Sequence, residues 1–396
     1  LDQQLENFEA VFTSRGGRVI WAENSEQARQ AILEICKEKH CKTLVKSKSM
    51  VTEEIKLNEF LEANHIESVE TDLGEYIQQL DGEPPYHIVT PAMHKSKEDV
   101  AKLFAEKLGT DPHLSPQQLT LEARARLREK YITAEVGVTG ANFLISDIGG
   151  IALTENEGNA RLSSAWPSTH IVIVGIEKMI PSMQDLALFW PLLATYGTGQ
   201  WMTVYNSIIS GPRQPGETDG PDEMIVILLD NGRTNLLANP KTRESLYCIR
   251  CGACLNACPV YKNIGGHTYG TTYSGPIGSV ITPHLRGMGD WQHLSHASSL
   301  CGNCTEVCSV KINLHELLLE NRAEAVEEGH SPFVEKLAWK AWKLGMMQRK
   351  WMNKGKSGLK DWAVNNLVKG WTAHRANLHF PEKSFNQLWR EKYPIE

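Results

Sequence analysis

The chain has 396 residues, 41% of them hydrophobic and 22% charged, with a formal net charge of −6 at pH 7. That length allows two or three domains with cores of their own, and the composition is that of an ordinary globular protein. No apolar run approaches the roughly 20 residues of a membrane-spanning helix, and nothing resembles a secretory signal, which argues against a bilayer-crossing chain. Leu1 stands where an initiator Met would, so an N-terminal piece is expected to be missing.

From the N-terminus, Leu1, Leu5, Phe8 and Phe12 recur at helical spacing until Gly16-Gly17. Arg18 to Ala22 reads as a strand. Asn24 with Gln27 three residues on reads as an N-cap with its reciprocal partner, opening a helix whose face is Ala28, Ile32, Ile35 and Cys36. Thr43-Leu44-Val45 is a second strand, followed by a helix bearing Ile55 and Phe60. Strands are expected near Ile66–Val69 and His87–Thr90, then a helix with Val100, Leu103, Phe104 and Leu108. From Ala134 the texture turns to strands joined by glycine turns: 136–139, 143–146, 151–154, 169–174 and, later, 224–230. The alternation predicts βαβ units in one α/β domain with a mixed sheet over residues 1–238.

No G-x-G-x-x-G separates a strand from a helix here, and Gly197-Thr198-Gly199 is too little to suggest a dinucleotide fold. Two stretches are candidate small-anion sites. Lys46, Ser47, Lys48 and Ser49 sit at a strand end just before a helix, where free backbone N–H groups and the helix dipole favour an anion. Capping and solvated charge would explain them equally well. Glu155, Asn156 and Asn159 fall in a Gly- and Asn-rich turn beyond Thr139-Gly140-Ala141-Asn142, and such turns need unusual backbone angles for structural reasons alone.

Residues 239–330 hold seven of the nine cysteines. Cys248, Cys251, Cys254 and Cys258 with Pro259 make the C-x2-C-x2-C-x3-C-P run that holds cubane iron–sulfur clusters, and Cys301, Cys304 and Cys308 follow. Two intervening residues let a tight loop aim successive thiolates at corners of one cluster. A structural zinc site takes two knuckles further apart, and a redox dithiol needs one pair, so both fit less well. By the crossed rule Cys248, Cys251, Cys254 and Cys308 hold a first 4Fe–4S cluster, and Cys258, Cys301 and Cys304 hold part of a second. The second lacks a thiolate: three residues before Cys301 stands Ser298, so a 4Fe–4S or a 3Fe–4S cluster is expected there. Thiols used this way point to a reducing, cytoplasmic compartment. Cys36 and Cys41 read as small apolar packing residues. His267, His284, His293 and His296 read as surface or hydrogen-bonding histidines. Leu314, Leu317, Leu318 and Val326 predict a helix shielding the clusters.

Residues 331–396 carry 13 Lys/Arg against 5 Asp/Glu, and six of the eleven Trp. Val334, Leu337, Ala338, Ala341 and Leu344 make one face of a basic helix. Such a tail can dock on an acidic partner or on the chain's own acidic body, and can also make peripheral contact with an anionic membrane. Nucleic acid is not indicated, since no recognition motif accompanies the charge.

Val45 to Glu54, Glu70 to Glu75 and Thr154 to Asn159 resemble the LUD domain of the lactate utilization protein B family. So do Tyr247 to Cys251, Tyr273 to Gly278 and Val310-Lys311-Ile312. The resemblance covers residues 1 to about 330. It implies a fold similar to sugar-phosphate isomerases and CoA-transferases, followed by an α-helical ferredoxin-type domain and a helical tail. It implies an iron–sulfur electron-transfer subunit oxidising L-lactate to pyruvate beside two partners: a cysteine-rich heterodisulfide-reductase-type subunit and a second, smaller LUD protein. The ligand would be a small organic acid. Ser309 departs from the family, which carries Pro after the last cysteine. The rival is a small-anion-binding LUD protein whose clusters are structural or redox-sensing.

Overall fold

Two runs of apolar residues set the centre of the chain. Ile171 and Ile173, with Ile225 and Ile227, point to one side of a sheet, where Ala28, Ile32 and Ile35 of the helix Ser25–Glu38 cover them. Val172 and Val174, with Val226 and Leu228, point to the other, against Leu5, Phe8 and Phe12 of the helix Asp2–Ser14. Strands covered on both faces read as unbroken hydrophobic runs rather than alternations. Burying each such side chain is worth about 1.5–3 kcal/mol.

The structure is a computed structural model describing residues 1–348, 351, 354–367 and 375–394. In chain order the strands are β1 (Arg18–Ala22), β2 (Thr43–Lys46), β3 (Glu67–Glu70), β4 (Val136–Thr139), β5 (Phe143–Ile145), β6 (Gly150–Glu155), β7 (Thr169–Gly175), β8 (Met179–Ile180), β9 (Tyr205–Ile209) and β10 (Glu223–Leu229). Six form a parallel sheet in the order β1-β10-β7-β4-β2-β3. The others form a second sheet, β8-β5-β6-β9, in which β6 runs antiparallel to both neighbours. The expected single mixed sheet is therefore two sheets, one parallel and one mixed.

Other local expectations change in detail. Asn24 accepts from the Gln27 N–H at 3.0 Å, but the Gln27 side chain returns to the Glu23 N–H, not to Asn24. The helix expected around Ile55 and Phe60 is two, Met50–Glu54 and Leu57–Ala63, broken where Lys56 takes φ 52°. His87–Thr90 is not a strand. Its backbone folds onto its own side chain, with His87 Nδ1 accepting from Val89 N at 3.1 Å and Thr90 N at 3.3 Å. Ile88 and Val89 pack in the cysteine-bearing core instead of pairing in a sheet.

Leu1–Glu327 forms one compact unit and Glu328–Glu396 another. Within the first, the helices Gly275–Arg286 and Leu314–Glu327 wrap the cysteine loops. Leu314, Leu317 and Leu318 share a core with Cys254, Cys304 and Cys308. Val326 does not join them; it is exposed. Cys36 and Cys41 are buried in the α/β core. The second unit contains the helices Phe333–Met346, Ser357–Leu367 and Phe385–Lys392, none with a buried residue. Of the basic tail, Arg349, Lys350, Lys369 and Trp371 lie outside the described residues. No helix among the described residues is long and apolar enough to cross a membrane.

Candidate functional site

The seven motif cysteines lie close together in two neighbouring groups. Cys248, Cys251, Cys254 and Cys308 line one small space of about 20 Å³, walled by Ile88, Ile277, Ile312 and Leu314. Cys258 and Cys301 lie beside Cys304. Backbone N–H groups point at the sulfurs: Arg250 N to Cys248 at 3.4 Å, Ile312 N to Cys308 at 3.3 Å and Tyr261 N to Cys258 at 3.5 Å. Hydrogen bonds of this kind stabilise the charge of a thiolate-ligated cluster.

Four thiolates on one zinc at 2.3 Å would stand only about 3.8 Å apart. Among the described residues, the group of three or more His, Cys, Asp or Glu ligand atoms within 4.8 Å of one another is Glu83, His94 and His267, not the cysteines. There Lys95 Nζ, 3.1 Å from the Glu83 carboxylate, already supplies a cation. The wider cysteine spacing and the all-thiolate donor set fit a polynuclear iron–sulfur centre rather than a single ion. Ser309 departs from the expected proline and turns its hydroxyl to the Cys251 sulfur at 3.6 Å.

A second, larger cavity of about 350 Å³ opens at the carboxyl ends of the adjacent strands β2, β4 and β7. That is where open α/β sheets present ligands. Its far wall is the cluster loop itself, through Ile249 and Arg250, together with Tyr273. The loop after the helix Leu73–Asp81 closes another side with Ile88, Val89 and Thr90, and Ile88 also faces the first cysteine set. This loop is seated on glycine. A Cβ at Gly266 would lie 1.7 Å from the Tyr86 carbonyl oxygen.

The expected anion-site residues divide. Ser47, Lys48 and Ser49 line the cavity, but Lys46 does not. Its ammonium is buried and turned away, 2.6 Å from Glu70, 3.0 Å from Glu53 and 2.7 Å from the Thr52 hydroxyl. Lys48 lines the cavity while donating to the Val89 carbonyl at 2.5 Å, so it pins the loop.

Glu155, Asn156 and Asn159 also line the cavity, yet their side-chain oxygens are committed. Glu155 accepts from Ala160 N and Arg161 N, Asn159 from Ala160 N, and Asn156 pairs with Gln200 and Val204 N. With Asp72 and Glu157 they make this wall acidic. Burial raises the carboxyl pKa of both Glu155 and Glu157. These side chains are therefore held mainly by the protein's own groups.

The basic wall was missed by sequence reasoning. Lys178 Nζ donates to the Cys248 carbonyl at 2.7 Å, and burial, with the Arg250 charge beside it, brings its pKa down to about 8. Arg250 takes φ 63°, a left-handed backbone that costs a non-glycine residue on the order of 1 kcal/mol or more. Its guanidinium stacks over the Tyr273 ring at 4.7 Å and stands 3.7 Å from Glu177. Arg250 Nη1 is buried with no hydrogen-bond partner among the described residues. Behind it Arg233, 1% exposed, clamps Glu54 at 2.8 Å and Glu177 at 2.6 Å, and the Tyr273 hydroxyl donates to Glu54 at 2.6 Å. No spacing pattern could have gathered these residues. Only the run Glu177-Lys178 just past a long apolar strand hinted at a strand-end site.

A parallel sheet whose strand-end cavity is walled by a cysteine-rich loop defines a class: an α/β domain fused to a dicluster iron–sulfur domain. The family models agree, with a LUD domain over residues 5–229 and a 4Fe-4S dicluster domain over residues 244–312. The chain is 46% identical to lactate utilization protein B of Bacillus licheniformis, over 99% of this chain and 84% of that one. It is 45% identical to lactate utilization protein B of Bacillus subtilis, over 91% and 80%. The Geobacillus sp. protein of the same name is 49% identical over 87% and 73%. The chain belongs to the lactate utilization protein B family. A crystal structure of a DUF162 family protein from Deinococcus radiodurans aligns with a TM-score of 0.31 at 15% identity, covering 58% of this chain and 97% of that one.

Proposed function

We propose that the protein is the iron–sulfur electron-transfer subunit of a system oxidising L-lactate to pyruvate in the cytoplasm. Its partners are a cysteine-rich subunit of the heterodisulfide-reductase type and a second, smaller LUD protein. Lactate must lose two electrons and two protons to become pyruvate, and the clusters, when bound, supply one-electron steps. The observation that carries this reading is the shared loop. Ile249 and Arg250 line the organic-acid cavity, and the cysteines on either side of them line the cluster space.

The acid's carboxylate sits on the basic wall. Arg250 Nη1 lacks a partner, and the Lys178 ammonium has donors beyond the one given to Cys248. A charge-assisted hydrogen bond to each is worth about 1.5–3 kcal/mol. The acidic wall opposite, with Glu157 and Asp72, faces the hydroxyl end and rejects a second anion. At about 350 Å³ the cavity falls in the range of small-molecule sites.

The test is anaerobic co-purification with the two partners, followed by electron paramagnetic resonance before and after L-lactate. Reduction of the clusters by lactate only when the partners are present is the expected result. Clusters that hold one oxidation state throughout would leave the small-anion-binding reading in its place. Equilibrium dialysis of labelled pyruvate tests the cavity separately. Arg250→Gln and Lys178→Gln should each weaken binding about 10-fold or more, from the loss of one such bond.

A further inference from the structure

The two cysteine loops repeat one another in their backbone as well as in their spacing. In the first, the Cys248 sulfur accepts from the N–H of Arg250, two residues on, at 3.4 Å. In the second, the Ser298 hydroxyl oxygen accepts from the N–H of Leu300, again two residues on, at 3.2 Å. Arg250 and Leu300 each precede a cysteine and each take the left-handed backbone, at φ 63° and φ 53°. Gly252 and Gly302 follow those cysteines at φ 78° and φ 81°. Short helices then begin, Ala253–Ala257 and Asn303–Glu306, and Asn303 ties them together by donating to the Ala257 carbonyl at 2.9 Å.

Ser298 therefore occupies, in its loop, the place that Cys248 occupies in the other. Cys248 is one of the four cysteines that line the first cysteine space. The left-handed turn at Leu300 is unfavourable for a branched apolar residue, on the order of 1–3 kcal/mol. The neighbouring Ser299 lies beside the Cys301 thiol, whose pKa it helps to lower.

We infer that Ser298 is the fourth protein ligand of the second cluster, beside Cys258, Cys301 and Cys304. This rests on the reading that the cysteines hold iron–sulfur clusters. On binding iron the hydroxyl releases its proton to water and forms one Fe–O bond, and no electron changes hands. Oxygen is a harder donor than the thiolate it replaces, and a serine hydroxyl far less acidic. The iron at that corner is accordingly the one most easily lost. Cys301 is exposed, so solvent and oxidant reach the cluster from this side.

The test is iron analysis and electron paramagnetic resonance of anaerobically purified full-length protein and its variants. The wild type should hold about eight iron atoms, from two four-iron clusters. On mild oxidation it should lose about one, with a three-iron signal that ferrous iron and reductant erase. Ser298→Ala should show that signal as isolated, at about seven iron atoms. Ser298→Cys should resist oxidation and keep about eight, and Ser299→Ala should behave as wild type. An unchanged spectrum and iron count in Ser298→Ala would overturn the assignment, as would loss of the labile iron in Ser299→Ala instead. If Ser298→Ala assembles no second cluster, the oxidation resistance of Ser298→Cys decides alone. Little iron in the wild type would instead overturn the cluster reading itself.

Discussion

Lys46→Met is the sharpest test of how the α/β domain is held together, because the sequence invites the opposite expectation. As an anion ligand, Lys46 could be removed at a cost in binding alone. In the structure it is wholly buried among carboxylates, with Glu70 at 2.6 Å and Glu53 at 3.0 Å. Burial works against its ammonium, and the charges of Glu70, Glu53 and Glu75 outweigh burial and raise its pKa. Methionine fills the same space without charge. Glu70 must then stay ionised without its partner or take up a proton. Burial already raises its pKa, so the proton is the cheaper course. Holding neutral a carboxyl whose ordinary value is 4.5 costs about 1.4 kcal/mol per pH unit above it, hence at most about 3.4 kcal/mol at pH 7 relative to a wild type with Glu70 ionised. That agrees with the roughly 3–5 kcal/mol expected for breaking a buried ion pair. The deficit should shrink to about 1.4 kcal/mol at pH 5.5. Pulse proteolysis in urea on the anaerobic holoprotein reads both values. A deficit under about 1 kcal/mol at pH 7, or one that does not change with pH, would refute the reasoning.

Cys251→Ser should lose about four iron atoms and lower stability, because the loop it anchors walls both cavities; iron analysis and thermal unfolding check this. Gly266→Ala forces the Tyr86 backbone off its seat and should lower stability by about 1–3 kcal/mol, with faster amide exchange in residues 84–91 and retained iron. His170 is fully buried and bonded to the Thr139 hydroxyl at 2.8 Å, and burial brings its pKa down to about 3. The unfolded chain then binds a proton the folded one refuses as pH falls below 6.5. Stability should therefore drop by about 1.4 kcal/mol per unit between pH 6.5 and 3, and His170→Gln should flatten that slope in unfolding midpoints taken at pH 7.5 and 5.5.

Much of the fold could be read from residue order, and the reasons it failed elsewhere are local. Thr169–Gly175 and Glu223–Leu229 are long, β-branched and buried, so their strands were plain. Met179–Ile180 is too short to show a period, and Tyr205–Ile209 is a half-buried edge strand without alternation. His87–Thr90 has the composition of a strand, but its apolar residues are consumed by the cysteine domain rather than by a sheet. The iron–sulfur domain was legible because its chemistry fixes the spacing of its cysteines. Lys46 was misread for want of register: it pairs with Glu70 across β2 and β3, which only the sheet reveals. Arg233, Glu54, Glu177, Arg250 and Tyr273 come from five separate stretches and share no pattern at all.

Those five residues make the functional argument tighter than either domain alone would. Glu54 follows β2 and Glu177 follows β7, and Arg233 holds both by charge. Through Tyr273 and Glu177, the same pair of carboxylates fixes Arg250 on the cluster loop. The α/β sheet therefore positions a side chain belonging to the iron–sulfur domain, and does so from the strand ends where the acid is proposed to bind. Two cations, Arg233 and Arg250, face two buried carboxylates, with Lys178 added at the cavity edge. In the proposed reading a ligand carboxylate would supply the missing negative charge and draw on the guanidinium that also lies beside Cys248. Under that proposal, binding in the cavity and the electrostatics at Cys248 would act through one residue, which gives a reason for the two domains to share a chain.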